Sequence, residues 1–127
     1  MTMNAPGQMD LFDALEMDSD EISVYGIIRR HAGRDHAVSV EEISRLSGVA
    51  PRQVRDIVKG LIERHRVRIG SALKKPAGYY MIETREEAEQ NELTLRRLGL
   101  SVLSRAAAIR KLTVREYMRR LQTELEV

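Results

Sequence analysis

The chain has no cysteine and no tryptophan among its 127 residues, and a single phenylalanine, Phe12. Without thiols there is neither a disulfide framework nor a thiolate metal site, which fits a reducing compartment. With aromatic residues at 4% the core has to be aliphatic, built from Leu, Ile, Val, Ala and Met. No apolar run approaches the roughly 18 residues that span a bilayer, and the N-terminus lacks the basic-then-apolar grading of a signal peptide. A soluble, cytoplasmic protein without a membrane partner is expected. The length allows one domain plus appendages but no roomy cleft between domains.

A second absence is more telling. Residues 1–21 contain six acids (Asp10, Asp13, Glu16, Asp18, Asp20, Glu21) and not one Lys or Arg, so with a net charge of +2 overall the remainder carries +8. Residues 45–80 alone hold nine bases against Asp56 and Glu63, an excess of +7. Such a concentration points to a polyanionic partner.

The expected fold is mainly α with a small β-hairpin. An acidic leader over 1–18 precedes a domain over 19–83, and C-terminal helices occupy 84–127. Ser19 opens a first helix burying Ile22, Val24, Tyr25, Ile27 and Ile28, which Gly33 stops. In Ser39-Val40-Glu41-Glu42 the spacing predicts a reciprocal capping box. The short helix that it starts buries Val40, Ile43 and Leu46 before Ser47-Gly48 turns the chain. Pro51 suits the first turn of a third helix, whose buried face is Val54, Ile57, Val58, Leu61 and Ile62. Then RVRIG (66–70) and YYMI (79–82) alternate as two short strands, joined by a loop with Lys74 and Lys75 at its tip.

On the third helix Arg52, Arg55, Asp56 and Lys59 share a stripe opposite the apolar one, with Gln53 beside it. Arg can fork onto guanine and Gln can pair with adenine, whereas Lys59 suits a phosphate. A plain solvated helix face has the same pattern. Three helices, the last two a helix-turn-helix, followed by a basic hairpin, resemble the winged-helix family of DNA-binding domains over residues 20–82. In layout the chain also resembles small winged-helix proteins of phages and prophages. The resemblance implies that Arg52, Gln53, Arg55 and Lys59 enter the major groove of double-stranded DNA. It also implies that the hairpin is a wing carrying Lys74 and Lys75, with Arg66 and Arg68 on its first strand adding to the DNA-binding set. Some winged helices bind proteins instead, the alternative being a non-enzymatic interaction adaptor that uses this domain and the C-terminal helices without DNA.

Thr84-Arg85-Glu86-Glu87 is a further capping box, opening a helix to about Lys111 whose seam is Leu95, Leu98, Val102, Ala106 and Ile109, widened by Leu93, Leu100 and Leu103. Thr113 to Glu116 starts a last helix, with Val114, Tyr117, Met118, Leu121 and Leu125 on one side. This apolar surface exceeds what one small domain covers. It favours a homodimer reading two half-sites, the alternative being that the helices fold back on their own domain.

Phe12 stands in QMDLF. Gln8, Met9, Asp10, Leu11 and Phe12 resemble the short peptide with which bacterial polymerases and mismatch-repair factors hold the sliding clamp. The resemblance implies that Leu11 and Phe12 fill an apolar cleft on that ring while the Gln8 amide bonds at its edge. Burying two such side chains is worth roughly 3–6 kcal/mol before ordering costs, a weak and exchangeable attachment. Equally, Met9, Leu11, Phe12 and Leu15 spell one side of a short amphipathic helix packed on the domain or its twin.

Enzyme chemistry finds no support. His31, His36 and His65 lack metal-ligand spacing. GSALKKPAG lacks the Gly-Lys-Ser/Thr ending of a phosphate loop and precedes a strand. The acidic pairs Glu41-Glu42 and Glu86-Glu87 stand in helix first turns, where the macrodipole accounts for them. No catalytic residue, metal or cofactor is expected.

Overall fold

The computed structural model describes residues 16–126, so Gln8, Met9, Asp10, Leu11, Phe12 and Leu15 lie outside the described residues. Within that span the chain forms five α-helices and one two-stranded antiparallel hairpin, the mainly α fold with a small β-hairpin that the patterning predicts. It divides into two compact units, with the boundary between Glu89 and Gln90.

Helix α1 is Ser19–Ile28. Its cap is Asp18, one residue before the expected Ser19: Asp18 Oδ1 accepts from the Glu21 N–H at 2.8 Å, and Glu21 Oε1 accepts in return from the Asp18 N–H at 3.4 Å. Met17, only 7% exposed, belongs to the core, so the core draws on the stretch assigned to the leader. The buried stripe is Glu21, Val24 and Ile28. That geometry turns Ile22 out to 50% exposure, against expectation, because it lies about 100° round the helix from Glu21. The helix also ends before Gly33, which at φ +88° starts a 3-10 turn over Arg34–His36.

Helix α2, Val40–Ser47, has half of its predicted box. Ser39 Oγ accepts from the Glu42 N–H at 3.1 Å, but the Glu42 carboxylate is held by the Arg45 guanidinium one turn on. A charged donor outcompetes a backbone amide for the same oxygens. Gly48 closes the helix in the left-handed region at φ +76°. Beyond that turn Val49 fills the core position, which leaves Leu46, expected inside, 52% exposed.

Pro51 occupies the first turn of α3, Pro51–Glu63, where its missing N–H costs nothing. Val54, Ile57, Val58 and Leu61 form its buried face, with Ile62 partly buried beside them. Fully burying Leu61 contributes about 2 kcal/mol by removal of apolar surface from water. At the far end of α3, Arg64 Nη2 and the inward-facing His65 Nε2 lie 3.7 and 3.4 Å from the buried Glu21 Oε2, tying α3 to α1.

Arg66, at φ +58°, reverses the chain straight off α3, so the first strand starts later than the alternation of Val67 and Ile69 predicts. β1 is Ile69–Ala72 and β2 is Gly78–Met81, paired as Ile69 with Met81, Gly70 with Tyr80, Ser71 with Tyr79 and Ala72 with Gly78. Both faces of the hairpin are covered. Ile69 and Met81 join the helical core, while Tyr80, with Ala72 and Ile82, packs on Ala37 and Ala88. The strand is docked to the helices by two backbone hydrogen bonds between Val38 and Tyr79, each 2.8 Å. Gly78, at φ +135°, is required there: a Cβ would stand 2.0 Å from the Val38 carbonyl oxygen.

Helix α4, Arg85–Ile109, opens with the expected box. Thr84 Oγ1 accepts from the Glu87 N–H at 3.1 Å, and Glu87 Oε1 accepts from the N–H groups of Thr84 at 3.3 Å and Glu83 at 2.8 Å. Helix α5, Val114–Glu126, follows a turn through Lys111, and Thr113 and Glu116 form the same reciprocal cap at its start. Among the described residues of the second unit only Ala107 is buried, and Leu95, Leu98, Leu100, Val102, Ile109, Met118 and Leu125 are exposed.

Candidate nucleic-acid interface

Four apolar side chains pin α3 against the core, and this fixes the opposite stripe toward solvent. Arg52, Arg55, Asp56 and Lys59 are all exposed on it. Gln53 is set apart: about 100° round the helix from Arg52, it reaches toward α1, where its Nε2 donates to Asp20 Oδ2 at 3.4 Å. Arg55 leans to the hairpin. Burial pushes the Tyr79 phenol above its ordinary pKa, and the nearby Arg55 charge offsets part of that rise.

Arg55 and the hairpin enclose a cleft of about 320 Å³, to which Ser39, Val40 and Glu41 contribute the third wall and Leu73, Ala77 and Tyr79 most of the apolar lining. Lys74 and Lys75 extend from the same loop and are exposed. Arg66, exposed, and Arg68, half-buried, are placed elsewhere. They precede the first paired residue, and the Arg68 carbonyl accepts from the Ile82 N–H at 2.9 Å, so they flank the open end of the hairpin. At about 3.3 Å per residue, the strand puts roughly 10 Å or more between them and the tip.

What holds the tip in place is Arg34, a residue that sequence reasoning passed over. Its guanidinium donates from Nη1 to the Pro76 carbonyl at 2.9 Å and from Nη2 to the Lys74 carbonyl at 2.7 Å. Its backbone N–H in turn donates to Glu87 Oε2 at 2.8 Å. Burial raises the Glu87 pKa, but the hydrogen bonds from Glu83, Arg34 and Thr84 outweigh it and hold the carboxylate below its ordinary value of 4.5. The first turn of α4, the 3-10 turn and the hairpin tip therefore form one braced unit. No local spacing announces a contact over 40 and 42 residues.

Charge pairing touches few of the cations, and those without a carboxylate partner among the described residues include Arg29, Arg30, Arg97 and Arg105 as well as the α3 and hairpin set. Arg45, Arg64, Arg85 and Arg96 each lie within ion-pair distance of a carboxylate, three of them one helical turn from their partners. Among the described residues Arg52, Arg55, Lys59, Arg66, Arg68, Lys74 and Lys75 have no such partner. Unpaired cations on a fixed scaffold repel one another and draw a polyanion to the surface. The three histidines have structural roles: His31 Nδ1 and His36 Nδ1 bond to the carbonyls of His36 and Ala32, and His65 faces Glu21. Among the described residues no group of three or more His, Asp or Glu is placed to hold a metal, and no helix is long and apolar enough to cross a membrane.

No protein-family model matches the chain, and no curated protein or solved structure is significantly similar to it.

Proposed function

We propose that this chain is a winged-helix protein that binds double-stranded DNA by contact alone, without a cofactor or a catalytic step, in replication or in transcriptional control. The observation that carries this reading is the exposed cationic stripe on α3, whose Arg55 lines the cleft against the hairpin, together with the exposed Lys74 and Lys75 on the hairpin tip, which Arg34 holds through the Lys74 and Pro76 carbonyls. Arg52 and Arg55 serve the major groove and Lys59, Lys74 and Lys75 serve phosphates. Gln53 turns to the groove only on giving up its single long hydrogen bond to Asp20. Arg66 and Arg68 reach only backbone at the far end of the hairpin.

The test is salt dependence. With about five phosphates neutralised, the logarithm of duplex affinity falls against the logarithm of salt with a slope of roughly −4 to −6. Lys74→Ala weakens all duplexes alike and reduces that slope by about one, whereas Arg55→Ala relaxes sequence preference. Salt-independent binding, or no binding, overturns the proposal.

Two partners complete it. The exposed leucines of the second unit, which has one buried residue among those described, favour a second copy of the chain as their cover. Charge supports self-pairing: α4 is acidic toward its start (Glu86, Glu87, Glu89 and Glu92 against Arg85) and basic beyond (Arg96, Arg97, Arg105), so an antiparallel twin meets opposite charge along its length. The QMDLF peptide is proposed to tether the protein to the bacterial sliding clamp in the cytoplasm. Replacing Leu11 and Phe12 together by Ala abolishes clamp binding at unchanged melting temperature; a large loss of stability would instead mean that the segment packs on the fold.

A further inference from the structure

Leu73 is 93% exposed, the most exposed large apolar side chain among those described, and it stands on a loop that is fixed, not loose. Ala72 before it is paired with Gly78, and the next residue, Lys74, is held through its carbonyl by Arg34. Beside Leu73 opens the cleft whose apolar walls are Val40, Ala77 and Tyr79 and whose charged groups are Arg55 and Glu41. Leu73 is thus a rigid apolar projection on the rim of an apolar recess, with Arg55 in the wall and Lys74 on the next residue, and this matches one kind of occupant. It needs two apolar faces, a polar edge and an attached negative charge.

We infer that this cleft receives a single unstacked nucleobase of a nucleic-acid strand, with Leu73 entering the gap that the base leaves in the stack. The inference rests on the DNA-binding reading and narrows its substrate to duplexes with an unpaired or readily extruded nucleotide. A base within an intact stack presents only its edge and cannot enter a concave recess. Once extruded, it lies against Tyr79 and Val40. Arg55 and Lys74 take the flanking phosphates. Glu41, as a carboxylate, only accepts hydrogen bonds, so it favours bases with an exocyclic amine (adenine, cytosine, guanine) over thymine, whose single ring N–H is flanked by two carbonyl oxygens that repel the carboxylate. An apolar side chain inserted at a base step is an established physical device for stabilising an unstacked geometry.

The experiment compares the affinity of the full-length protein for an intact duplex with that for the same duplex carrying one bulged adenine or one bulged thymine, at fixed salt, together with free adenosine monophosphate. Expected is a preference of about tenfold for the bulged adenine over the intact duplex, the effect of one stacked base. Leu73→Ala, at a position 93% exposed, reduces that preference to within about twofold, whereas Lys74→Ala weakens binding to intact and bulged duplexes alike. Glu41→Ala leaves a preference for bulged over intact duplex but erases the distinction between adenine and thymine. Equal wild-type affinity for bulged and intact duplexes overturns the inference and leaves duplex binding standing. Free nucleotide binding as tightly as the bulged duplex overturns the assignment to a strand, and failure to bind any of the probes removes both readings together.

Discussion

The two units of this protein spend their apolar residues in opposite ways. In the first, Val24, Ile28, Ile43, Val54 and Leu61 are almost fully buried, and the hairpin is covered on both faces. In the second, one alanine is buried among the described residues and Leu95, Leu98, Leu100 and Leu125 are exposed, though α5 is capped as fully as the helices of the first. Good capping and local ion pairs such as Arg96 with Glu92 make a helix, but each contributes only tenths of a kcal/mol to about one. A core requires non-local burial. The first unit thus carries its own core, while the second leaves most of its described apolar residues uncovered.

Core truncation probes that contrast with the largest effect. Leu61→Ala in the first unit is expected to cost about 2–5 kcal/mol and to lower the melting temperature sharply, whereas Leu98→Ala in the second shifts the melting of the first unit little. Chemical denaturation of both variants measures the difference. Next comes Gly78→Ala, which forces a Cβ against the Val38 carbonyl and a β-carbon into a backbone region suited to glycine; a loss of about 2 kcal/mol is expected. Its hydrogen-exchange signature should be early opening of Tyr79 while the α3 amides stay protected.

A smaller effect tests the second unit directly. Leu98→Asp on the exposed seam is expected to weaken self-association by about tenfold or more, roughly 1.4 kcal/mol, with the helical content of the first unit preserved. Sedimentation over a concentration series reads it, and a wild-type chain that stays monomeric at all concentrations rules out the twin as the cover.

The smallest effect concerns the brace. Because the folded pKa of Glu87 is lowered, its stabilisation is fully present above the unfolded value near 4.5 and fades as pH falls through the folded value. The melting-temperature gap between wild type and Glu87→Gln should therefore be widest near neutrality and close progressively below pH 4.5. A gap independent of pH would mean that the carboxylate charge has no part in bracing the 3-10 turn.

The helices, the hairpin and the face of α3 that meets solvent were all legible in sequence, because periodicity and capping are local signals. Ile22 and Leu46 are exposed where burial was expected: in α1 the buried stripe runs through Glu21, which faces Arg64 and His65, and after α2 the buried residue is Val49, beyond the Gly48 turn. The late start of β1 depended on a left-handed Arg66 that no propensity foretells. Of the site, the cations were visible as a charge excess. That Arg55 lines a cleft with the hairpin, while Arg66 and Arg68 flank the hairpin's open end, was not.

The sequence by itself determined where helices begin, which residues are charged and which faces are apolar, since those follow from spacing along the chain. Only the tertiary structure decided that Arg34 grips a loop some forty residues away and that Leu73 stands exposed beside a cleft shared by α2, α3 and the hairpin. Such contacts depend on how helices and strands are brought together in space, and the side chains involved obey no periodic rule.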